Sequence, residues 1–236
     1  MLPKAILFDM DDTILRYTIT LESAWKEACE ISAKDTKSFT AEELLHHINI
    51  AREWYWSDPE RHRIGRLNLL KARTSFITMA LKKLGCEDEK IAVNIATSFS
   101  KIIDGTLDFF PDVEDTLQQL VIKDVKLALL TNGAGAAQQE KISRFRLNRY
   151  FNVRLIEGEL GFGKPDQRFF KMALSKLKIT PEQTWMVGDD LERDIAGAQT
   201  AGIYSIWCDY GKKGLQENSK VQPDKIISNI TELFSL

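Results

Sequence analysis

Cysteine, histidine and proline are scarce in this chain: three, three and six among 236 residues. Cys29, Cys86 and Cys208 lie far apart and form no CxxC pair. That spacing excludes a disulfide framework, a zinc ribbon and a thioredoxin-type redox motif, and predicts reduced, mostly packed thiols. His46 and His47 adjoin each other without a matching ligand set, so a solvated helix face is expected for them. Excess charge is also missing. A net charge of −2 provides no broad basic field for nucleic acid or anionic membrane. No apolar run approaches the length of a membrane span. The opening MLPKAILFDM is too short for a signal peptide and meets Asp9 at once. These absences predict a soluble cytoplasmic protein, monomer or homodimer, that binds neither nucleic acid nor membrane.

What is present is ordinary globular material, 44% hydrophobic and 28% charged, enough for a sizeable core. At this length one large domain or a domain with an insertion are both open. Lys4 to Phe8 reads as a buried strand. From roughly residue 18 to 105 the apolar residues recur at helical spacing. Thr40 and Glu43 form a capping box, Asp58-Pro59 stops that helix, and Gly85 ends the next. After Pro111 the pattern alternates. Strands are expected at Val125–Leu130, Val153–Ile156, Thr184–Val187, Tyr204–Trp207 and weakly at Ile226–Ile227, separated and followed by helices. Such alternation predicts an α/β fold with a parallel sheet covered on both faces. Its first strand is separated from the rest by a helical insertion, an arrangement in which insertions commonly act as lids.

Four polar stretches stand at or just after predicted strand ends, where open parallel sheets bind ligands. The first is Phe8-Asp9-Met10-Asp11-Asp12-Thr13. In an extended segment Asp9 and Asp11 project to the same side, and two converging carboxylates suit a hard cation such as Mg2+. Taken alone, the segment is also compatible with a strand ending in a solvated acidic turn. The others are Leu129-Leu130-Thr131-Asn132-Gly133, Gly163-Lys164-Pro165-Asp166 and Val187-Gly188-Asp189-Asp190-Leu191-Glu192-Arg193-Asp194. Residues 158–164 formally match GxxxxGK, but Pro165 replaces the required Ser or Thr, which excludes a P-loop. An EF-hand is excluded because Thr20 stands where its terminal Glu belongs.

In this order and placement, FDMDDT, LLTNG, GKPD and VGDDLERD resemble the four motifs of the haloacid dehalogenase-like hydrolase superfamily. The helical block between the first and second motif resembles the superfamily's type 1 cap. The resemblance spans essentially the whole chain. It implies a Rossmann-like core at 1–15 and 108–236 and an all-helical cap domain at 16–107. It further implies a Mg2+-dependent phosphatase that works through an aspartyl-phosphate. Asp9 would be the nucleophile and Asp11 the general acid and base. Thr131, Asn132, Gly133 and Lys164 would receive the phosphate, Lys164 also neutralising charge. Asp9, Asp189 and the main-chain oxygen of Asp11 would hold the metal. Asp194 would orient that shell from behind. Asp190, where the family often has Ser or Thr, would join Asp194 or cap the helix that follows.

A carboxyl at Asp11 matches phosphate esters rather than carbon–halogen bonds, so the expected partner is a small phosphate ester of the nucleotide, sugar-phosphate or phosphoglycolate class. A mutase of the phosphoglucomutase type and a non-enzymatic binding protein on this scaffold remain as alternatives. Trp54, Tyr55 and Trp56, followed by Arg61, His62, Arg63 and Arg66, either pack the helices or grip a base, sugar or second anion.

Overall fold

The computed structural model describes residues 2–34, 36 and 38–236. The chain divides into two compact units, one made of Met1–Arg16 and Phe109–Leu236, the other of Tyr17–Asp108.

The first unit is built on six parallel strands in the order β3-β2-β1-β4-β5-β6. They are β1 Ala5–Phe8, β2 Lys126–Thr131, β3 Val153–Ile156, β4 Thr184–Gly188, β5 Tyr204–Cys208 and β6 Lys225–Ile227. All four residues of β1 are fully buried. A continuous apolar run, rather than an alternating one, is what a strand covered on both faces requires. β1 lies between β2 and β4, Phe8 standing level with Leu129 and Val187. Strand order therefore reverses direction beside β1, and the crevice beyond the carboxyl ends opens there. One covering layer packs Phe169, Phe170 and Leu174 onto Leu7, Ala128 and Met186.

The second unit is helical throughout, with α1 Leu21–Ala33, α2 Ala41–Ser57, α3 Pro59–Gly65, α4 Leu69–Lys83 and α5 Glu89–Thr106. Its ends are marked by side chains. Thr40 and Glu43 close a reciprocal capping box. Asp58, Asn68 and Asp88 each accept a backbone N–H at the start of α3, α4 and α5. Each such cap contributes about 1 kcal/mol. The core is aromatic: Trp25 stacks on Phe99 at 3.7 Å and meets Phe76 edge-on at 5.7 Å. Truncating so large a buried side chain removes its transfer energy and leaves a cavity. Trp25→Ala is thus expected to lower stability by about 3–5 kcal/mol, read as a lower urea midpoint for loss of helical circular dichroism.

Two elements differ from their sequence expectation. The run at 195–201 starts as a widened turn at Leu191–Ala196, in which Ile195 N–H bonds to Asp190 C=O five residues back, before the short helix Gly197–Thr200. The chain end, expected as a helix, is a tight three-residue-per-turn segment, Ile230–Ser235, capped by Asn229. Six residues are too few to repay the cost of nucleating an α-helix. Cys29, Cys86 and Cys208 are free thiols. No helix among the described residues is long and apolar enough to cross a membrane.

Candidate active site

The crevice at the strand ends is assembled from four loops. Asp9 follows β1 directly, its N–H donating to Val187 C=O at 3.0 Å, so the pairing with β4 carries on into the acidic segment. β4 ends at Gly188, and Asp189 follows. A Cβ at position 188 would overlap the Asp194 carboxylate, so glycine lets that carboxylate fold back against the strand end. The widened turn at 191–196 is what swings Asp194 there, and its Oδ2 accepts the Asp190 N–H at 3.1 Å. Extra-residue helical turns of this kind recur at functional sites.

Lys164 reaches the same point from another loop. Asn132 holds it by the backbone: Lys164 N–H donates to Asn132 Oδ1 at 2.8 Å, and Asn132 Nδ2 donates to Lys164 C=O at 2.7 Å. Gly163 makes room for this, since a Cβ there would overlap Asn132 Oδ1. The Lys164–Pro165 peptide is cis. The ammonium lies 2.5 Å from Asp9 Oδ1 and 2.7 Å from Asp194 Oδ1. Lys164 is 3% exposed, Asp194 1% and Asp9 7%. Asp9 Oδ2 is sealed from solvent and meets no hydrogen-bond partner among the described residues. Asp9, Asp189 and Asp194 each offer an oxygen, and these atoms lie within 4.8 Å of one another.

Two buried carboxylates, Asp9 and Asp194, thus share one ammonium, and Asp189 stands beside them. Burial raises the pKa of Asp9, and Lys164 only partly opposes it. Burial likewise raises Asp194 against the pull of Lys164, and raises Asp189, where Asp9 and Asp194 add to the effect. Burial works against the Lys164 ammonium, but Asp194 and Asp9 outweigh it and leave its pKa raised. An acid whose folded-state pKa is raised contributes stability below its unfolded pKa and loses it as pH climbs through the folded one. In chelator, Tm is therefore expected to fall as pH rises from about 4, the ordinary carboxylate value, toward 8. A Tm in chelator that is flat across this range would contradict the charge imbalance.

Asp11 takes different hydrogen-bond partners from Asp9, although its charge still adds to the rise in the Asp9 pKa. β1 ends at Phe8, and the chain turns within the acidic segment: Asp12 has left-handed backbone and its N–H bonds to Leu15 C=O. The strand period therefore does not reach Asp11. Its carboxylate accepts from Lys141 Nζ at 2.7 and 2.8 Å and from Gln138 Nε2 at 3.1 Å. Both residues are buried and stand on the helix Gly135–Arg144. Gln138 also donates to Thr131 Oγ1 at 2.5 Å and to Asn132 C=O at 3.2 Å, linking Asp11 to the end of β2. Gly133 N–H, an expected phosphate donor, bonds instead to the buried Glu157 carboxylate at 3.0 Å.

Asp190 takes the second of its two expected places. Its Oδ1 accepts from Glu192 and Arg193 N–H, and its carboxylate pairs with Arg193 at 3.0 Å. Asp189 is held by its main chain, whose C=O accepts from Trp207 Nε1 at 2.7 Å. Sequence reasoning passed over Gln138, Lys141 and Glu157. For the first two a signal exists: they stand three apart, on one helix face, in the helix opening just after Thr131-Asn132-Gly133.

Residues 3–202 match the family model for haloacid dehalogenase-like hydrolase. The phosphoserine phosphatase of Thermus thermophilus is 29% identical, the match covering 98% of this chain and 98% of the relative. The glyceraldehyde 3-phosphate phosphatase of Methanopyrus kandleri is also 29% identical, over 99% of this chain and 96% of the relative. Among solved structures, the Bacillus subtilis HAD-hydrolase YfnB, crystallised bound to magnesium, superimposes with a TM-score of 0.76 at 19% identity. That alignment covers 100% of this chain and 98% of the other and shows a shared fold. Sheet order, strand-end chemistry and the family match agree, and the chain belongs to the haloacid dehalogenase-like hydrolases.

Proposed function

We propose that this chain is a Mg2+-dependent phosphomonoesterase that hydrolyses a small phosphorylated metabolite through an aspartyl-phosphate on Asp9. The observation that carries the proposal is Asp9 itself. One oxygen is fixed by Lys164, the other is sealed without a hydrogen-bond partner among the described residues, and Asp189 and Asp194 crowd it. A buried carboxylate with an unused oxygen suits nucleophilic attack. The phosphatases of Thermus thermophilus and Methanopyrus kandleri are named for small phosphate monoesters, which supports that substrate class.

In the first half-reaction the Asp9 carboxylate attacks phosphorus, the ester P–O bond breaks, and the departing oxygen takes a proton from Asp11. In the second, water gives its proton to Asp11 while its oxygen attacks phosphorus, freeing phosphate and restoring Asp9. Lys164 balances the negative charge beside Asp9 throughout. The Thr131 hydroxyl and the amides of Asn132 and Gly133 receive phosphoryl oxygens, Gly133 exchanging its bond to Glu157 for one to substrate.

The donor set fits a hard divalent cation, since all three converging ligands are oxygens. Asp9 and Asp189 would hold it, with the Asp11 main chain and Asp194 completing or orienting the shell. When bound, it neutralises carboxylate and phosphoryl charge together.

Lys141 and Gln138 keep Asp11 at the mouth of β2 and so act as positioning residues. Lys141→Met is expected to lower kcat by about ten- to a hundredfold with KM nearly unchanged, because misplacing a proton-transfer group by about an ångström costs that much. An unchanged kcat would remove Lys141 from the mechanism.

The proposed activity is tested by phosphate release from p-nitrophenyl phosphate, phosphoserine, glyceraldehyde 3-phosphate, phosphoglycolate and nucleoside monophosphates, with Mg2+ and with chelator. Mg2+-dependent release from at least one is the expected result. Release from none overturns the proposal. Isomerisation of a sugar phosphate without release would establish the mutase instead.

A further inference from the structure

Within the helical unit lies a cavity of about 380 Å³ walled by the rings of Trp25, Trp56, Phe76 and Phe99 and by Arg52 and Arg73. This volume falls within the range of small-molecule sites. The sequence singled out seven residues of α2 to Arg66, and the structure divides them. Arg61 is used locally, donating to the Trp54 and Tyr55 carbonyls and lying 3.9 Å over the Trp54 ring. Arg63 pairs with Glu60. Trp56, His62 and Arg66 line the cavity, His62 and Arg66 in contact at 3.2 Å.

The charges in its wall are incompletely answered. Arg73 is 7% exposed, and its partners are neutral: Ser100 Oγ at 2.7 Å, Tyr17 OH at 2.9 Å and the face of Phe99 at 4.7 Å. No carboxylate pairs with it among the described residues. A guanidinium has five N–H donors, and a buried ion without a counter-ion is costly. Arg52 is bonded through Nη2 to Glu22 at 2.7 Å, but the Glu22 side chain is 67% exposed and screens the charge weakly. Its Nη1 is sealed from solvent and reaches no acceptor among the described residues. An aromatic box with two under-used guanidiniums has the chemistry of a site for a flat body carrying an oxyanion: rings stack on rings, and planar guanidinium forks match carboxylate or phosphate.

We propose that the helical unit contains a binding site of its own for a small aromatic oxyanion, gripped by Arg73 and Arg52 and stacked against Trp56. Binding is measured on the full chain in chelator, by calorimetry and by quenching of tryptophan fluorescence. The probes are phenylacetate, phenylphosphonate, neutral 2-phenylethanol and inorganic phosphate. Saturable binding of phenylacetate or phenylphosphonate is expected, the better of the two showing which oxyanion fits. The neutral probe and bare phosphate should bind at least about tenfold more weakly, as loss of a charged hydrogen bond or of the stacked body dictates. Arg73→Gln should weaken the anion by a similar factor, and Asp9→Asn should leave it unchanged. Should Arg73→Gln fail to fold, as judged by circular dichroism, Arg52→Gln serves the same comparison at a more exposed position. The proposal is overturned by no saturable binding up to about 10 mM, or by equal binding of 2-phenylethanol. It is equally overturned if binding disappears in Asp9→Asn and persists in the arginine variants, which would place the anion in the α/β unit.

Discussion

Asp9→Asn is expected to abolish phosphate release, by on the order of 10⁴-fold or more, the scale seen when a covalent nucleophile is removed. The amide keeps the size and much of the hydrogen bonding of the carboxylate but cannot attack phosphorus. Stability should move the other way from activity. Asp9 is held against burial and against Asp194 and Asp11, and Lys164 retains Asp194 as a partner when Asp9 is neutral. In chelator the variant should therefore melt at or above the wild-type temperature at pH 8. Wild-type turnover in Asp9→Asn would sink the nucleophile assignment. Lost turnover with a sharply lowered Tm would mean that the residue is needed for folding instead.

Lys164→Met should fail in both respects. Lys164 supplies the positive charge between Asp9 and Asp194, both buried. Removing one partner of a buried ion pair costs about 3–5 kcal/mol because the remaining charge is left uncompensated. Here two carboxylates are left, and they can escape the penalty only by taking up protons. The loss in Tm should accordingly be largest at pH 8 and shrink toward pH 5. Turnover should fall by at least about a hundredfold, the typical cost of losing one electrostatic stabiliser of the transition state. A pH-independent loss in Tm would show that the methionine merely packs badly. Unimpaired turnover would show that charge at this position is dispensable.

The fold class is legible in the chain because its signals are local. An unbroken apolar run as short as Ala5–Phe8, cut off at once by Asp9, fits a strand buried on both faces better than a helix. Alternation of such runs with amphipathic helices then dictates a parallel sheet. Loops at strand ends carry the polar motifs, so the grouping of Asp9, Lys164 and Asp189 could be anticipated from order alone. What lay out of reach depends on where a side chain points after the regular period stops. Asp11 turns to Lys141 because the backbone leaves the strand path at residue 9 and turns at Asp12. Asp194 was expected beside that shell, but the turn that brings it there, wider than an α-helix at 191–196, was not, since no composition rule foretells one extra residue in a turn. Gly133 gives its N–H to Glu157, a residue whose burial is visible only once β3 is placed beside β2. The C-terminal segment departs from its expectation for a simpler reason: its apolar spacing is helical, but its length is not.

The chain leaves the α/β unit after Arg16 and returns to it at Phe109. Leu15 bridges Phe109, and Phe110 N–H donates to Ile14 C=O at 3.0 Å, so exit and entry are stitched together by main-chain bonds. For the sheet, everything between is a single closed loop. The entropy of closing a loop grows only with the logarithm of its length, about 0.6 kcal/mol for each doubling. The cost of closing the chain through residues 17–108 is therefore almost independent of how many residues it holds. Residues 17–108 can lengthen, shorten or be exchanged for another self-folding segment while Asp9, Lys164 and Asp189 keep their places. Novelty in recognition can accumulate in one part of the chain without renegotiating the chemistry in the other.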